Sequence, residues 1–290
     1  MTNILVTGSS GQLGKTLQDL APLFGQFTFQ FTDKEDLDVT SPENIKSYLK
    51  NNPYDCLINC AGYTSVDGAE DDATVASLLN ARAAGFLAEA TAKKGALMIH
   101  ISTDYVFDGK KSKPYTEGDS ANPRSTYGKT KLDGEIEVIF NAKRAIIIRT
   151  SWLYSKYGQN FVKTIREKAR SENELKVVID QVGTPTCAED LATAILQMIP
   201  GIPNRIRGEI YNFSNEGVAS WYDVAKAIIE MEQIKCKVNP VLTKDIGSRA
   251  ERPHYSVLDK SRIKKEFGLQ IPYWRDSLKR CLDTMSAKST

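Results

Sequence analysis

Apolar residues in the first half of the chain fall in short unbroken runs, separated by stretches with helical spacing. NILVTG (3–8), DCLINCAG (55–62), ALMIHIST (96–103) and RAIIIRTS (144–151) are such runs, while FTFQFT (27–32) alternates. A run of this length bounded by turn residues reads as a strand buried on both faces. QLGKTLQDLAPLF (12–24) and DATVASLLNARAAGFLAEATAKKG (72–95) carry helical periodicity, with Gly95 as a C-terminal stop. A further helix is expected around Tyr127, between the last two of these strands. Strand and helix alternating in this way imply right-handed crossovers and an α/β fold, a Rossmann-type doubly wound parallel sheet.

After Ser151 the rhythm loosens. KVVID (176–180) and EIYNFS (209–214) read as strands, DLATAILQMI (190–199) and WYDVAKAIIEMEQ (221–233) as helices. The expected division is a first domain at 1–151 and a smaller, loop-rich C-terminal lobe at 152–290, with elements inside 176–225 returning to the first sheet.

The glycines of VTGSSGQLG (6–14) give the first domain its chemistry. Gly8, Gly11 and Gly14 form G-x-x-G-x-x-G between a strand and a helix. Gly8 allows a tight turn, Gly11 lets backbone approach a pyrophosphate, and Gly14 lets the helix pack on the strand. The helix start then offers free N–H groups and a positive dipole end to phosphates. A plain Gly-rich β–α turn would look similar in isolation, but the flanking elements favour a dinucleotide. Gln12 and Leu13, inside the motif, go with that cofactor. Asp33 ends the second strand, 19 residues after Gly14, where an acid takes the adenosine ribose hydroxyls. Such an acid favours NADH by repelling a 2′-phosphate. Lys34 beside it offsets the repulsion, so both NADPH and NADH stay open. Asp38 and Val39 are read as flanking the adenine, although a loop aspartate before a helix start explains Asp38 as well.

STYGKTK (125–131) sets Tyr127 and Lys131 four positions apart, on one helix face. A phenol with a pKa of about 10 is a poor acid at neutral pH, and a nearby ammonium lowers it. The pair is therefore read as a general acid and its tuning cation, with the lysine also able to hold the nicotinamide ribose, although the spacing alone fits a solvated helix face as well. ISTDYVFDG (101–109) adds Thr103 beyond the carboxyl end of the fourth strand, where ligands of doubly wound sheets lie.

These three elements together resemble the extended short-chain dehydrogenase/reductases. CAGYTSVDGAE, HISTDYVFDG, STYGKTKLDGE, IIIRTSWLYSKYGQNFVKTI and DQVGTPTCAEDLA carry the likeness over most of the chain. STDYVFDG with RTSWLY is similar to the branch of that family that reduces a 4-keto dTDP-sugar. The resemblance implies an NAD(P)H-dependent reduction at C4 of dTDP-4-dehydro-β-L-rhamnose. Tyr127 would be the proton donor, Lys131 its partner, and Thr103 the residue holding the substrate carbonyl. Asp104 and Trp152 would contact the sugar, and Asn80 would shore up the site. Gly62, Tyr63 and Thr64 would line the nicotinamide side. Arg249 and Arg252 lie in SRAERPHYSVLD (248–259), and arginine suits a diphosphate, although a solvated surface loop accounts for them as well; Arg252, before a proline, is the better candidate. Asp67 and Glu70 have capping-box spacing, which accounts for Glu70 and leaves Asp67 open.

Some members of that family bind magnesium at a dimer interface through glutamates. Glu189 matches one position, but RCLDTMSAKST (280–290) has no glutamate where a second would fall. Mg2+ is thus left with half a site, and no metal ligand is assigned. A homodimer and a monomer both stay open.

Composition narrows the alternatives. A net charge of +2 gives no reason for a nucleic-acid partner. No apolar run approaches the roughly 20 residues of a membrane span, and the N-terminus lacks a charged leader. The five cysteines form no C-x-x-C pair and only two histidines are present, which fits reduced thiols in the cytoplasm and argues against zinc. His100, inside LMIHIS, is read as a core histidine. A 4,6-dehydratase would need a second carboxylate after the threonine, and Tyr105 stands there instead. Another 4-ketoreductase or an epimerase of the same fold stays open, as does a nucleotide-binding regulatory subunit.

Overall fold

The computed structural model describes residues 1–286. In chain order the first half runs β1 (Thr2–Thr7), α1 (Gln12–Leu20), β2 (Phe27–Phe31), α2 (Pro42–Asn51), β3 (Cys56–Asn59), α3 (Val66–Asp71), α4 (Ala73–Ser77), α5 (Ala83–Lys94), β4 (Leu97–Thr103), α6 (Thr126–Asn141) and β5 (Ala145–Thr150). The second half runs β6 (Leu153–Tyr154), α7 (Phe161–Ser171), β7 (Glu174–Val178), β8 (Val182–Gly183), β9 (Thr186–Cys187), α8 (Ala188–Met198), β10 (Glu209–Phe213), β11 (Ala219–Ser220), α9 (Trp221–Met231), β12 (Lys237–Val241), α10 (Ser261–Phe267) and α11 (Trp274–Ser286).

Six strands form one parallel sheet in the order β2-β1-β3-β4-β5-β10. The unbroken apolar runs are explained by burial of both faces. Ile4, Val6, Ile58, Ile99, Ile146 and Ile148 meet α1 and α8 on one side. Leu5, Leu57, Met98 and Ile147 meet α2, α5 and α6 on the other. Alternate residues of one strand therefore feed two cores, and each fully buried aliphatic side chain contributes roughly 1.5–3 kcal/mol. A third core joins α7, β7, α9, β12 and α11 in the second lobe. β10 and α8 come from the second half of the chain yet pack with the first sheet. The strand order reverses at β1 and β3, so a crevice opens beyond their carboxyl ends.

The helix read as continuous over 72–95 is corrected. Asp72 leaves the helical conformation and caps α4 by accepting from the Val75 N–H at 3.0 Å. Leu78–Arg82 then winds as a π-helical segment before α5. Such bulges are frequent at functional sites, and Asn80 lies inside this one. α5 does end at Gly95, in the left-handed conformation (φ 69°). Helices α7, α10 and α11 were not foreseen, and α2 only as a helix start after Asp38; its fuller signal was Ser41 before Pro42, a capping residue and a first-turn proline.

Among the described residues no helix is long and apolar enough to cross a membrane. No cluster of three or more His, Cys, Asp or Glu suited to a metal occurs among them. Glu189 stands 3.6 Å from Arg280. Residues 287–290, the end of the stretch read as lacking a second glutamate, lie outside the described residues.

Candidate active site

A cavity of about 1250 Å³ opens beyond the carboxyl ends of β1, β3, β4 and β5 and continues into the second lobe. The glycine loop forms one end. Gly8 has φ 64°, and a Cβ there would stand 2.6 Å from the Ala61 nitrogen. A Cβ on Gly14 would stand 2.5 Å from the Gly8 oxygen. Gly11 is exposed, and a Cβ there would meet only the Gly8 oxygen, at 3.3 Å. α1 starts at Gly11 without a side-chain cap, so its first N–H groups are left for an anion. These features fit a dinucleotide pyrophosphate.

Gln12 lines the cavity, and its side-chain oxygen accepts from Ser155 at 3.1 Å and Asn160 at 3.0 Å. It ties the loop to the second lobe. Asp33 accepts from the Ser10 N–H and the Lys34 N–H, each at 2.8 Å. Burial opposes its ionisation, but these hydrogen bonds prevail and hold its pKa below the usual carboxylate value. Asp38 closes a local turn by accepting from Thr40. Val39 is buried with Leu37, Ile45 and Leu49, so its side chain serves the core. Asp33, Asp38 and Val39 are not among the residues lining the cavity.

Gly62, Tyr63 and Thr64 form the wall beyond β3. Asn80 holds that wall: its amide accepts from the Tyr63 N–H at 2.8 Å and donates to the Tyr63 carbonyl at 3.1 Å. It also donates to Thr130 on α6, at 3.1 Å. A side chain thus mimics a strand partner for an otherwise unpaired loop.

Thr103, Asp104, Tyr127 and Lys131 converge on the same cavity. α6 begins just before Tyr127. Ser125 caps it by accepting from the Gly128 N–H. Gly128 is required there, since a Cβ would collide with the Tyr105 carbonyl. Glu70 does not cap its own helix, as its spacing had suggested; Ser65 does. Glu70 accepts instead from the Thr126 N–H and hydroxyl, both at 2.7 Å.

The electrostatics correct one expectation. Tyr127 was expected to have a lowered pKa; it is raised to about 12, chiefly by burial, with the Thr103 hydroxyl opposing and Asp104 adding to the rise. The Lys131 ammonium donates to the Ile101 carbonyl at 2.6 Å. Burial lowers its pKa to about 8, against the pull of Glu135. Asp104 is raised to about 6, mainly by burial. Its Oδ1 accepts from the Thr103 hydroxyl at 3.1 Å.

The second lobe supplies Trp152 and Arg252. Trp152 has φ 48°, a conformation costly for a bulky residue and a marker of functional constraint. Its ring faces the cavity and stacks on Trp221. Arg252 also faces the cavity and makes a paired contact with Asp67, at 2.7 and 3.1 Å. That contact holds the Asp67 carboxyl far below its usual range, which decides the role left open for Asp67. Arg249 pairs outside with Asp71. Tyr105, edge-on to Tyr127 with centroids 5.5 Å apart, also lines the cavity. Neither Tyr105 nor Trp221 was singled out from sequence. Trp221 was legible only as a helix start after Ser220.

His100 is buried, faces the Asn59 side chain at 3.1 Å, and is kept neutral by burial and the Lys131 charge.

Residues 1–287 match the family model described as the RmlD substrate binding domain. A dTDP-4-dehydrorhamnose reductase of Aggregatibacter actinomycetemcomitans is 38% identical over 288 residues, covering 96% of this chain and 98% of that protein. The structure of a dTDP-4-dehydrorhamnose reductase from Clostridium acetobutylicum is 39% identical, with TM-score 0.92 over 98% of this chain and 99% of that one. That of the Bacillus anthracis enzyme in complex with NADP is 36% identical, with TM-score 0.93 over the same shares.

Proposed function

This chain belongs to the dTDP-4-dehydrorhamnose reductase family, and we propose that it reduces the C4 ketone of dTDP-4-dehydro-β-L-rhamnose to give dTDP-β-L-rhamnose. The observation that carries the reading is the convergence of Thr103, Tyr127 and Lys131 with the glycine loop in one cavity. On this reading 1–151 is the dinucleotide-binding domain and 152–290 is mainly the substrate lobe.

The nicotinamide cofactor, NADPH or NADH, supplies the hydride. Gly11 and the first N–H groups of α1 would take its pyrophosphate, and Asp33 would take the adenosine ribose hydroxyls. The Bacillus anthracis relative holds NADP, and Lys34 beside Asp33 offers a positive charge for a 2′-phosphate.

Thr103 donates to the ketone oxygen as negative charge develops there. Tyr127 then gives that oxygen its proton. A phenol with a pKa near 12 keeps its proton until the acceptor has become a strongly basic alkoxide, which suits reduction. The buried Lys131 ammonium stabilises the phenolate left behind. Trp152 and Asp104 hold the sugar, and Arg252 meets the diphosphate.

The test is oxidation of NADPH or NADH, followed by loss of nicotinamide absorbance, with enzymatically made dTDP-4-dehydrorhamnose and identification of the product. Tyr127→Phe should lower turnover by roughly 10²–10⁴-fold and leave cofactor binding intact. Near-parental turnover in that variant would remove Tyr127 from the mechanism.

A further inference from the structure

Behind the catalytic face of α6 lies an ion pair that touches neither the cavity nor solvent. Glu135 and Arg149 have side-chain exposures of 1% and 4%. Arg149 holds Glu135 through two contacts, Nε to Oε1 at 2.9 Å and Nη2 to Oε2 at 2.6 Å. The Ser102 hydroxyl donates to Oε1 at 2.5 Å. Arg149 also stacks over the Phe107 ring, 5.0 Å from its centroid.

The position of this pair is informative. Glu135 lies one turn after Lys131 on α6. Lys131 donates to the carbonyl of Ile101, Glu135 accepts from Ser102, and the next residue is Thr103. α6 is thus latched to two consecutive residues of β4, immediately before the group that would hold the ketone. Arg149 adds β5 to the latch. Burying two charges costs several kcal/mol per ion before their attraction is counted, and an apolar pair would pack there at no such cost.

We propose that Glu135 is a positioning residue for the reduction: from outside the cavity it locks the rotation of α6 that turns Tyr127 and Lys131 toward Thr103, and its carboxylate keeps the Lys131 amine charged. The inference rests on the reading above. The groups facing Lys131 support its electrostatic half. Just after β3 comes the Cys60 thiol, which burial pushes up to about 12. From β4 comes His100, held neutral by burial. Arg149, on β5, is paired with Glu135. Tyr127, on the same helix, keeps its proton. Against the desolvation of Lys131, Glu135 supplies the larger opposing pull, ahead of Cys60.

The test uses Glu135→Gln, which keeps the shape and the acceptor for Ser102 but removes the charge. Lys131 is titrated directly from the side-chain nitrogen resonance of ¹⁵N-lysine-labelled protein, with Lys131→Met identifying the signal. Its titration should move down by about one to two pH units. The alkaline limb of kcat/KM should move with it, while NADPH affinity stays parental. If that variant fails to fold, Glu135→Leu/Arg149→Met removes both charges together and should also lower the Lys131 titration. A Lys131 titration unchanged in the folded variant overturns the inference. A parent that oxidises no NADPH with the keto-sugar overturns the proposed function instead, and the resonance still reads the Glu135–Lys131 coupling.

Discussion

The indole of Trp152 lies flat on the indole of Trp221, with ring centroids 3.6 Å apart and planes 9° apart. Phe161 covers Trp221 at 4.5 Å between centroids. Gln181 fixes it by accepting from its Nε1–H at 3.1 Å. Gly183 leaves the room, since a Cβ there would stand 2.7 Å from the Trp152 ring. Trp221 lines the same cavity and supports Trp152, whose strained backbone needs such support. Trp221→Ala should raise KM for the keto-sugar about tenfold with a smaller change in kcat, and Trp221→Phe should restore most of it. The circular-dichroism couplet of the stacked indoles should vanish in both variants. A parental KM in Trp221→Ala, alongside a raised KM in Trp152→Ala, would exclude the supporting role.

Asp104 makes stability pH-dependent. Its folded pKa is raised to about 6 from 3.8, mainly by burial. Between these values the folded state binds a proton that the unfolded state has released. Stability from this group is full below about pH 4 and falls as pH rises through 6, by at most about 3 kcal/mol. Asp104→Asn should therefore melt higher than the parent at neutral pH, with the difference closing near pH 4. Calorimetry across that range checks it. Parallel curves would mean Asp104 is not the source.

Glu70 holds the start of the catalytic helix from a neighbouring one. Glu70→Ala leaves the Thr126 N–H without its acceptor and should cost about 1 kcal/mol. The melting temperature should drop by a few degrees. Turnover should fall as well, because Tyr127 is the next residue, and Glu70→Gln should recover part of both. Unchanged melting in Glu70→Ala would show that water replaces the cap.

Cofactor choice should turn on Asp33. Its carboxylate faces the glycine loop and stays ionised through hydrogen bonds from Ser10 and Lys34. Asp33→Ala removes the charge that would repel a 2′-phosphate. The ratio of kcat/KM for NADPH over NADH should rise about tenfold, and any general loosening of the loop cancels in that ratio. An unchanged ratio would place the 2′ position elsewhere.

Much of this protein was legible in local pattern. Unbroken apolar runs mark strands buried on both faces, and their alternation with helices leads to a parallel doubly wound sheet. Gly8, Gly11 and Gly14 could be read because backbone conformation and close approach are local demands. Tyr127 and Lys131 share a face because helical spacing is local too, Thr103 was placed by the end of the fourth strand, and the family resemblance gave Thr103 its role and added Trp152. Tertiary structure decided what depends on distant segments. The raised pKa of Tyr127 follows from burial, which spacing does not reveal. Asp67 finds Arg252, Glu70 finds Thr126, Glu135 finds Arg149, and Trp152 finds Trp221, all across long loops or between separate elements. Each partner is chosen by how helices and strands pack, and no periodicity along the chain encodes that choice.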